Sequence, residues 1–377
     1  MQRSNRFRRR TVLSAIPRAL SVAMLSLVVV RTLGAAPEPK PVQVYLLAGQ
    51  SNMDGYGGLE ALRYQATQGE RKDVFQKLVT PDGTWTVRDD VSIVFGERQG
   101  PLSAGFGVGK EFFGVEWEFG NVAGDHHDAK VLLIKASWGG ASIRREFRPP
   151  SSGAADELVE KEYARRLADH QKAIASGKES TKPELAAIRD IYGRNYRKML
   201  GVVRETLAEI ATVVPGYAGE GYEIAGFVWF QGFNDQFDGA DKEYAIHLAN
   251  LIRDVRKELG RPTLPVVIGQ MGHGGTVAAR EERGLKPIGE PTQNIKTAQA
   301  AVAAMDEFRG TVAVVPTDVF WDWMAQDVFD KGWKEHIEEW KRIGAHYPYH
   351  YLGSPYTFAK AGRAFGDAMV ELHAAAK

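Results

Sequence analysis

Four clusters of small polar residues follow apolar runs along this chain. They are Gly49-Gln50-Ser51-Asn52-Met53, Ser137-Trp138-Gly139-Gly140-Ala141-Ser142, Gln231-Gly232-Phe233-Asn234-Asp235, and Pro316-Thr317-Asp318 with Asp322 soon after. A hydroxyl, a pair of glycines and a carboxamide are the parts of an acyl-transfer site. A serine becomes a nucleophile when a neighbouring base takes its proton. Backbone N–H groups and a side-chain amide stabilise the oxyanion that develops on the attacked carbonyl. Glycine suits such a place because no Cβ stands between backbone and substrate. The base must come from nine histidines. His350, in 346-HYPYHYLGSPY-356, lies in a loop just before the last helical stretch. The residues therefore read as Ser51 nucleophile, His350 general base, and an oxyanion hole from the N–H groups of Ser51 and of Gly139 or Gly140. The amide of Asn234 or Gln231 would complete it.

Each residue also has a plainer reading. Ser51 and Gly139-Gly140 could be turns, Asn234 and Asp235 a helix cap, His350 a loop histidine and Gln231 a loop support. The run Asp125-His126-His127-Asp128 invites a metal, but adjacent histidines in a polar loop rarely converge on one ion, and none is expected. Arg144, Arg145 and Arg148 either line a polar substrate or form a solvated face. Trp138, Trp229, Trp321 and Trp323 lie near the clusters; aromatic faces suit sugar rings, yet at least two of them read better as core.

These residues meet only if the elements before them are parallel. Five segments, 42–48, 130–136, 223–230, 264–269 and 311–316, are short, nearly continuous apolar runs bounded by Gly, Pro or polar residues. That is the pattern of parallel strands covered on both faces. Amphipathic or charged helical stretches at 157–177, 184–212, 243–259 and 357–375 alternate with them. The alternation predicts a three-layer α/β/α sandwich around a five-stranded parallel sheet, with the polar clusters on one rim. Residues 80–120 are glycine-rich and irregular and read as an insertion with a short hairpin.

Composition narrows the class. The chain has 377 residues, 44% hydrophobic and 25% charged, with a formal net charge of +1, so global charge offers nothing to nucleic acid. Absence of cysteine removes thiol nucleophiles and cysteine-ligated zinc. The first ten residues carry five arginines and no acid, and an apolar run at 19–30 precedes a small-residue stretch. This reads as a signal peptide over about 1–36, with a twin-arginine flavour at Arg9-Arg10, on a single domain from 37 to 377. The run is short for a bilayer span. A secreted or periplasmic protein with no stable membrane insertion after cleavage is expected.

The blocks also resemble a known family. Gly49-Gln50-Ser51-Asn52-Met53 is similar to the first block of the SGNH hydrolases, in the branch of sialate O-acetylesterases and acetylxylan esterases. Gly232-Phe233-Asn234-Asp235 resembles that family's Gly-x-Asn-Asp block, Trp229-Phe230-Gln231-Gly232 its Trp-x-Gln-Gly, and Trp138-Gly139-Gly140 its glycine block. His350 is similar to the histidine of the last block. The resemblance runs from about 43 to 370. It implies a flavodoxin-like fold, an acetylated carbohydrate as substrate, an acetyl-serine intermediate, and neither cofactor nor metal. One departure stands out. Such enzymes place an Asp three residues before the histidine, where this chain has Tyr347, and 341–350 contains no Asp. Asp322 is the preferred substitute, ahead of Asp318 and Asp235; without any of them a Ser-His dyad remains. Rival readings are a lipid or thioester hydrolase, for which no apolar lid is evident, and a catalytically idle carbohydrate-binding protein. A glycosidase lacks a convincing carboxylate pair on the strand ends.

Overall fold

In the computed structural model, all five expected strands form, and two more join them. The model describes residues 40–375, so the signal-peptide expectation lies outside the described residues. The strands are β1 (Val42–Gly49), β2 (Arg88–Phe95), β3 (Arg98–Leu102), β4 (Val131–Ser137), β5 (Tyr222–Phe230), β6 (Val266–Gln270) and β7 (Val312–Pro316). They lie in the order β3-β2-β4-β1-β5-β6-β7. All neighbours are parallel except the β2–β3 hairpin. Five strands were expected; the sheet has seven, because the 80–120 insertion supplies an edge hairpin. Its outer strand carries Pro101 and exposed polar residues, which suit an edge.

The other five strands follow the flavodoxin-like order, in which the chain reverses its winding beside the first strand and leaves a crevice there. Register places the polar clusters around that crevice. Gly49 is level with Ser137 on one side and with Phe230 on the other. A Cβ on Gly49 would lie 2.2 Å from the Phe230 carbonyl oxygen, so only glycine lets the ends of β1 and β5 approach this closely.

The longer helices are α1 (Glu116–His126), α2 (Asp156–Ala175), α3 (Arg194–Ala208), α4 (Tyr244–Glu258), α5 (Glu290–Ala303) and α6 (Pro355–Ala375), with shorter helices between them. All but α2 cover the faces of the sheet, and α2, with Val159 alone buried, packs on the short helix Leu185–Ile191. Tyr45 and Leu47 of β1 pack with Trp117 and Phe119 of α1 and Phe358 and Phe365 of α6. Val44, Leu46 and Ala48 pack with Met199 of α3, Leu248 and Ile252 of α4 and Ile295 of α5. Alternate residues of one strand thus enter two separate cores, which is why the strand is apolar from Val44 onward. The expected helix at 184–212 is broken at Gly193, whose positive φ of 77° redirects the chain into α3. Among the described residues no helix is long and apolar enough to cross a membrane.

Candidate active site

Ser51 opens a single helical turn, Ser51–Asp54, directly after β1. A buried cation holds that turn from below. Lys135 of β4, fully enclosed, donates to the Asp54 carbonyl at 2.9 Å, to the Phe106 carbonyl at 2.7 Å and to Glu116 Oε2 at 2.8 Å. Glu116 in turn accepts from the Gly114 N–H at 2.8 Å. Burial lowers the Lys135 pKa against the pull of Glu116. Asp54, beneath Ser51, has its pKa raised by burial, with the Ser137 hydroxyl, Lys135 and the Gly139 N–H pulling the other way.

Gln50 joins the nucleophile turn to the end of β5. Its Oε1 accepts from Gln231 Nε2 at 3.1 Å, from the Gly232 N–H at 3.1 Å and from the Asn234 N–H at 3.3 Å. Its Nε2 donates to Asn234 Oδ1 at 2.9 Å and stands 3.5 Å from Ser51 Oγ. With Oδ1 engaged, the Asn234 amide must turn its Nδ2 donors elsewhere, as an oxyanion donor must. Gly139 completes this side: a Cβ there would lie 3.8 Å from the Ser51 Cβ. Gly140 sits beyond it in an exposed turn with φ of 73° and open space around it.

Gln231 does not belong to the oxyanion set. It is wholly buried, and its Nε2 is taken by Gln50, by the Ala141 carbonyl at 3.0 Å and by Asp235 Oδ2 at 2.6 Å. Asp235 also accepts from the Ile143 and Arg144 N–H groups at 2.9 and 3.1 Å, so it pins the glycine loop to β5. Burial pushes its pKa up to about 6 despite those donors.

The candidate base arrives from the far side. His350 sits in the turn Pro348–Gly353, which packs against the Ser51 turn. No hydrogen bond joins it to Ser51 in this structure; such contacts are often loose before substrate binds. Its ring stacks face to face on Tyr56, 3.9 Å between centroids and 8° between planes. Its Nδ1 lies 2.8 Å from His346 Nδ1. Burial, then His346, push the His350 pKa down to about 3. The turn is unusual because Tyr351 and Leu352 both adopt positive φ, 54° and 61°. Such conformations cost roughly 1–3 kcal/mol each and persist where surroundings enforce them. Here the buried Tyr351 hydroxyl accepts from the Gly272 N–H at 3.0 Å and meets the Thr317 hydroxyl at 2.9 Å.

Asp322 is not the orienting acid. Its Oδ1 caps the helix Trp323–Asp330 through the Met324 and Ala325 N–H groups, and its Oδ2 accepts from Arg71 at 2.9 Å and Ser354 at 2.5 Å. Asp318 is paired with Lys296 at 2.6 Å. Among the described residues no carboxylate hydrogen-bonds His350. Sequence reasoning missed Gln50, Lys135 and His346; a carboxamide beside the nucleophile and a lysine inside an apolar strand are the signals that could have flagged the first two.

Other expectations resolve into structure. Trp229 and Trp321 are core, while Trp138 and Trp323 are half-buried under Lys198 and Arg283. Arg144, Arg145 and Arg148 are held by Glu243, by Glu146 and Glu162, and by the Ser152 and Gly153 carbonyls. Exposed rings near His350 are instead Tyr347 and Tyr349, stacked on each other, and Phe237 on Phe233. The acids of the 125–128 run pair with Lys77, Arg88 and Lys40. His126, His127 and His373 do gather within 4.8 Å, but His127 faces the Tyr45 hydroxyl and His373 the Ala225 carbonyl.

Residues 41–309 match the family described as carbohydrate esterase, sialic acid-specific acetylesterase. The match spans Ser51, Gly139 and Asn234 and ends before the loop of His350. No curated protein matches the chain. Among solved structures it is similar to a protein from Arabidopsis thaliana, at 15% identity and TM-score 0.48, covering 87% of this chain and 98% of that one. A novel carbohydrate acetylesterase from Xanthomonas citri is similar at 14% identity and TM-score 0.44, over 86% of this chain and 55% of its own. NanS follows at 12% identity and TM-score 0.40, over 74% and 78%.

Proposed function

The chain belongs to the carbohydrate esterase, sialic acid-specific acetylesterase family, and from that premise we propose that it removes O-acetyl groups from a carbohydrate through an acetyl-serine intermediate. The observation that carries the mechanism is the Gln50 bridge, which fixes the Ser51 turn and the Asn234 amide in one rigid unit. Ser51 Oγ attacks the acetyl carbon while His350 Nε2 takes its proton. Charge on the carbonyl oxygen is met by the N–H groups of Ser51 and Gly139 or Gly140 and by Asn234 Nδ2. The bond between the sugar oxygen and the acetyl carbon then breaks, and the His350 proton passes to the departing sugar oxygen. Water repeats the sequence in reverse: its oxygen bonds the acetyl carbon, its proton passes through His350 to Ser51, and acetate leaves.

The substrate is read as an acetylated sugar because exposed Tyr349 beside His350, Tyr347 stacked on it, and Phe237, reached from Tyr349 through Phe233, offer rings that suit apolar sugar faces. The basic start and apolar run of residues 1–36 support export to a periplasmic or extracellular place; N-terminal sequencing of the mature protein checks this. For the activity, acetate release is measured from an aryl acetate and from acetylated xylan and sialic acid, beside Ser51→Ala and His350→Ala. Turnover is expected to vanish in Ser51→Ala. A folded wild type inactive on every acetyl ester would favour a binding protein, and equal turnover in Ser51→Ala would refute the serine mechanism.

A further inference from the structure

The contact that orients the base is between two histidines. His350 and His346 face each other Nδ1 to Nδ1 at 2.8 Å, a hydrogen-bond distance that requires one nitrogen to carry the proton and the other to accept it. His350 can serve as base toward Ser51 only through Nε2, which must then be bare, and this puts its proton on Nδ1. The pair is thereby determined: His350 Nδ1–H donates, His346 Nδ1 accepts, and His346 keeps its own proton on Nε2. We propose that His346 is the positioning residue of this enzyme, a neutral imidazole standing where a carboxylate would otherwise fix the ring and tautomer of the base. The inference rests on the reading of His350 as general base.

The surroundings fit that role. Tyr347, at the position where an acid was expected, is nearly half exposed, stacked on Tyr349 and edge-on to His346. The groups facing His350 are Tyr56, which covers one face of its ring, His346, and Tyr349 at 4.6 Å; Asp54 lies behind Tyr56. Backbone bonds from Ala345 and His346 N–H to the Leu352 carbonyl close the loop and hold the two imidazoles together. Its left-handed residues, Tyr351 and Leu352, are what bend the chain back far enough for this. Both histidines are pushed toward the neutral form by burial. When His350 takes the Ser51 proton, its Nδ1–H becomes a charged donor and the bond to His346 strengthens, which stabilises the imidazolium only as it forms. A neutral partner does this less well than an anion, so the base stays weak and works into acid.

The test uses the full chain with His346→Ala and His346→Asp, read on a small aryl acetate. His346→Ala should lower kcat by about 10²-fold with KM and melting temperature little changed. His346→Asp should restore most of the turnover. It should also move the acid limb of kcat/KM upward, because a carboxylate beside His350 favours its protonated form and the base is then lost at higher pH. In the wild type that limb is expected below the ordinary histidine range, because burial and the neighbouring His346 both lower the His350 pKa. Independently of turnover, nitrogen NMR of the labelled imidazoles should show His350 protonated on Nδ1 and His346 on Nε2. Full activity and an unchanged pH profile in His346→Ala, with Ser51→Ala and His350→Ala inactive, would overturn the positioning role and leave the esterase reading intact. Full activity in His350→Ala would instead remove the base assignment, and this inference with it. Should His346→Ala fail to fold, a His350 carrying its proton on Nε2 in the wild type overturns the proposal by itself.

Discussion

The two sides of the candidate cleft are built differently. The nucleophile side is a buried polar lattice: Lys135 and Glu116 under the Ser51 turn, then Gln50, Gln231 and Asp235 stitching β1, the glycine loop and β5. Its parts leave regular strands at matched register, and the family match covers them. The base side is an irregular loop of stacked rings and left-handed residues, beyond that match. One side is held by hydrogen bonds that no other residue types reproduce, the other by shape and by a few anchors. The nucleophile side should therefore answer mutation by losing stability and rate together. The base side should lose rate first.

Lys135→Met gives the harshest trial. It leaves Glu116 charged and buried without its partner and frees the Asp54 and Phe106 carbonyls. Breaking a buried pair from one end costs about 3–5 kcal/mol. Thermal or denaturant unfolding should show a loss of that order, with turnover falling too because the Ser51 turn loses its support. A variant of wild-type stability would mean the lattice is dispensable, and the contrast between the two sides would fail.

Asn234→Ala sharpens the same contrast without removing a core charge. Loss of one oxyanion donor costs roughly 10²–10³ in kcat, about 2.7–4 kcal/mol of barrier. Steady-state kinetics on an aryl acetate should show this with KM nearly constant. Gln50→Ala should follow it in direction, since it releases the Asn234 amide, and should also lower stability. If Asn234→Ala changes KM alone, Asn234 binds substrate and does not hold the oxyanion.

The two sides also differ in how far they could be read from the residues alone. β1, β4, β5, β6 and β7 were legible because each is largely enclosed on both faces and so reads as a nearly continuous apolar run, with Lys135 of β4 as the chief exception. The short hairpin of 80–120 was legible as a hairpin but not as two strands of the main sheet, since Asp89 and Asp90 are exposed and only Val91–Val94 of β2 are buried. Helix α1 escaped notice because it is buried nearly all round, with Glu116, Glu118 and Asn121 inside, and so shows no polar face. Ser51 and Asn234 could be picked out as polar residues at strand ends. Gln231 stayed open between an oxyanion donor and a loop support because a buried and a substrate-facing carboxamide look alike in sequence. The His346–His350 contact depends on two residues in conformations that no propensity favours, so spacing could not reveal it. Asp322 was preferred for want of an acid in the loop, but an Asp just before a helix is an N-cap first.

The smallest expected effect tests what keeps the base loop bent. Tyr351→Phe deletes only a hydroxyl, yet that hydroxyl is the acceptor for the buried Gly272 N–H and the partner of the Thr317 hydroxyl. An orphaned buried donor costs about 1–3 kcal/mol. That is comparable to the roughly 1–3 kcal/mol cost of one left-handed residue in this turn, so the anchor and the strain it holds are nearly matched. The variant should lose stability in that range. If the bend is what brings His346 to His350, it should also lose turnover, with the His350 Nδ1–H signal broadening as the pair comes apart. Lost stability with full turnover and an unchanged signal would show the turn to be held by packing of the Tyr351 ring against Phe230 and Trp321, with the hydroxyl serving the β7 end alone.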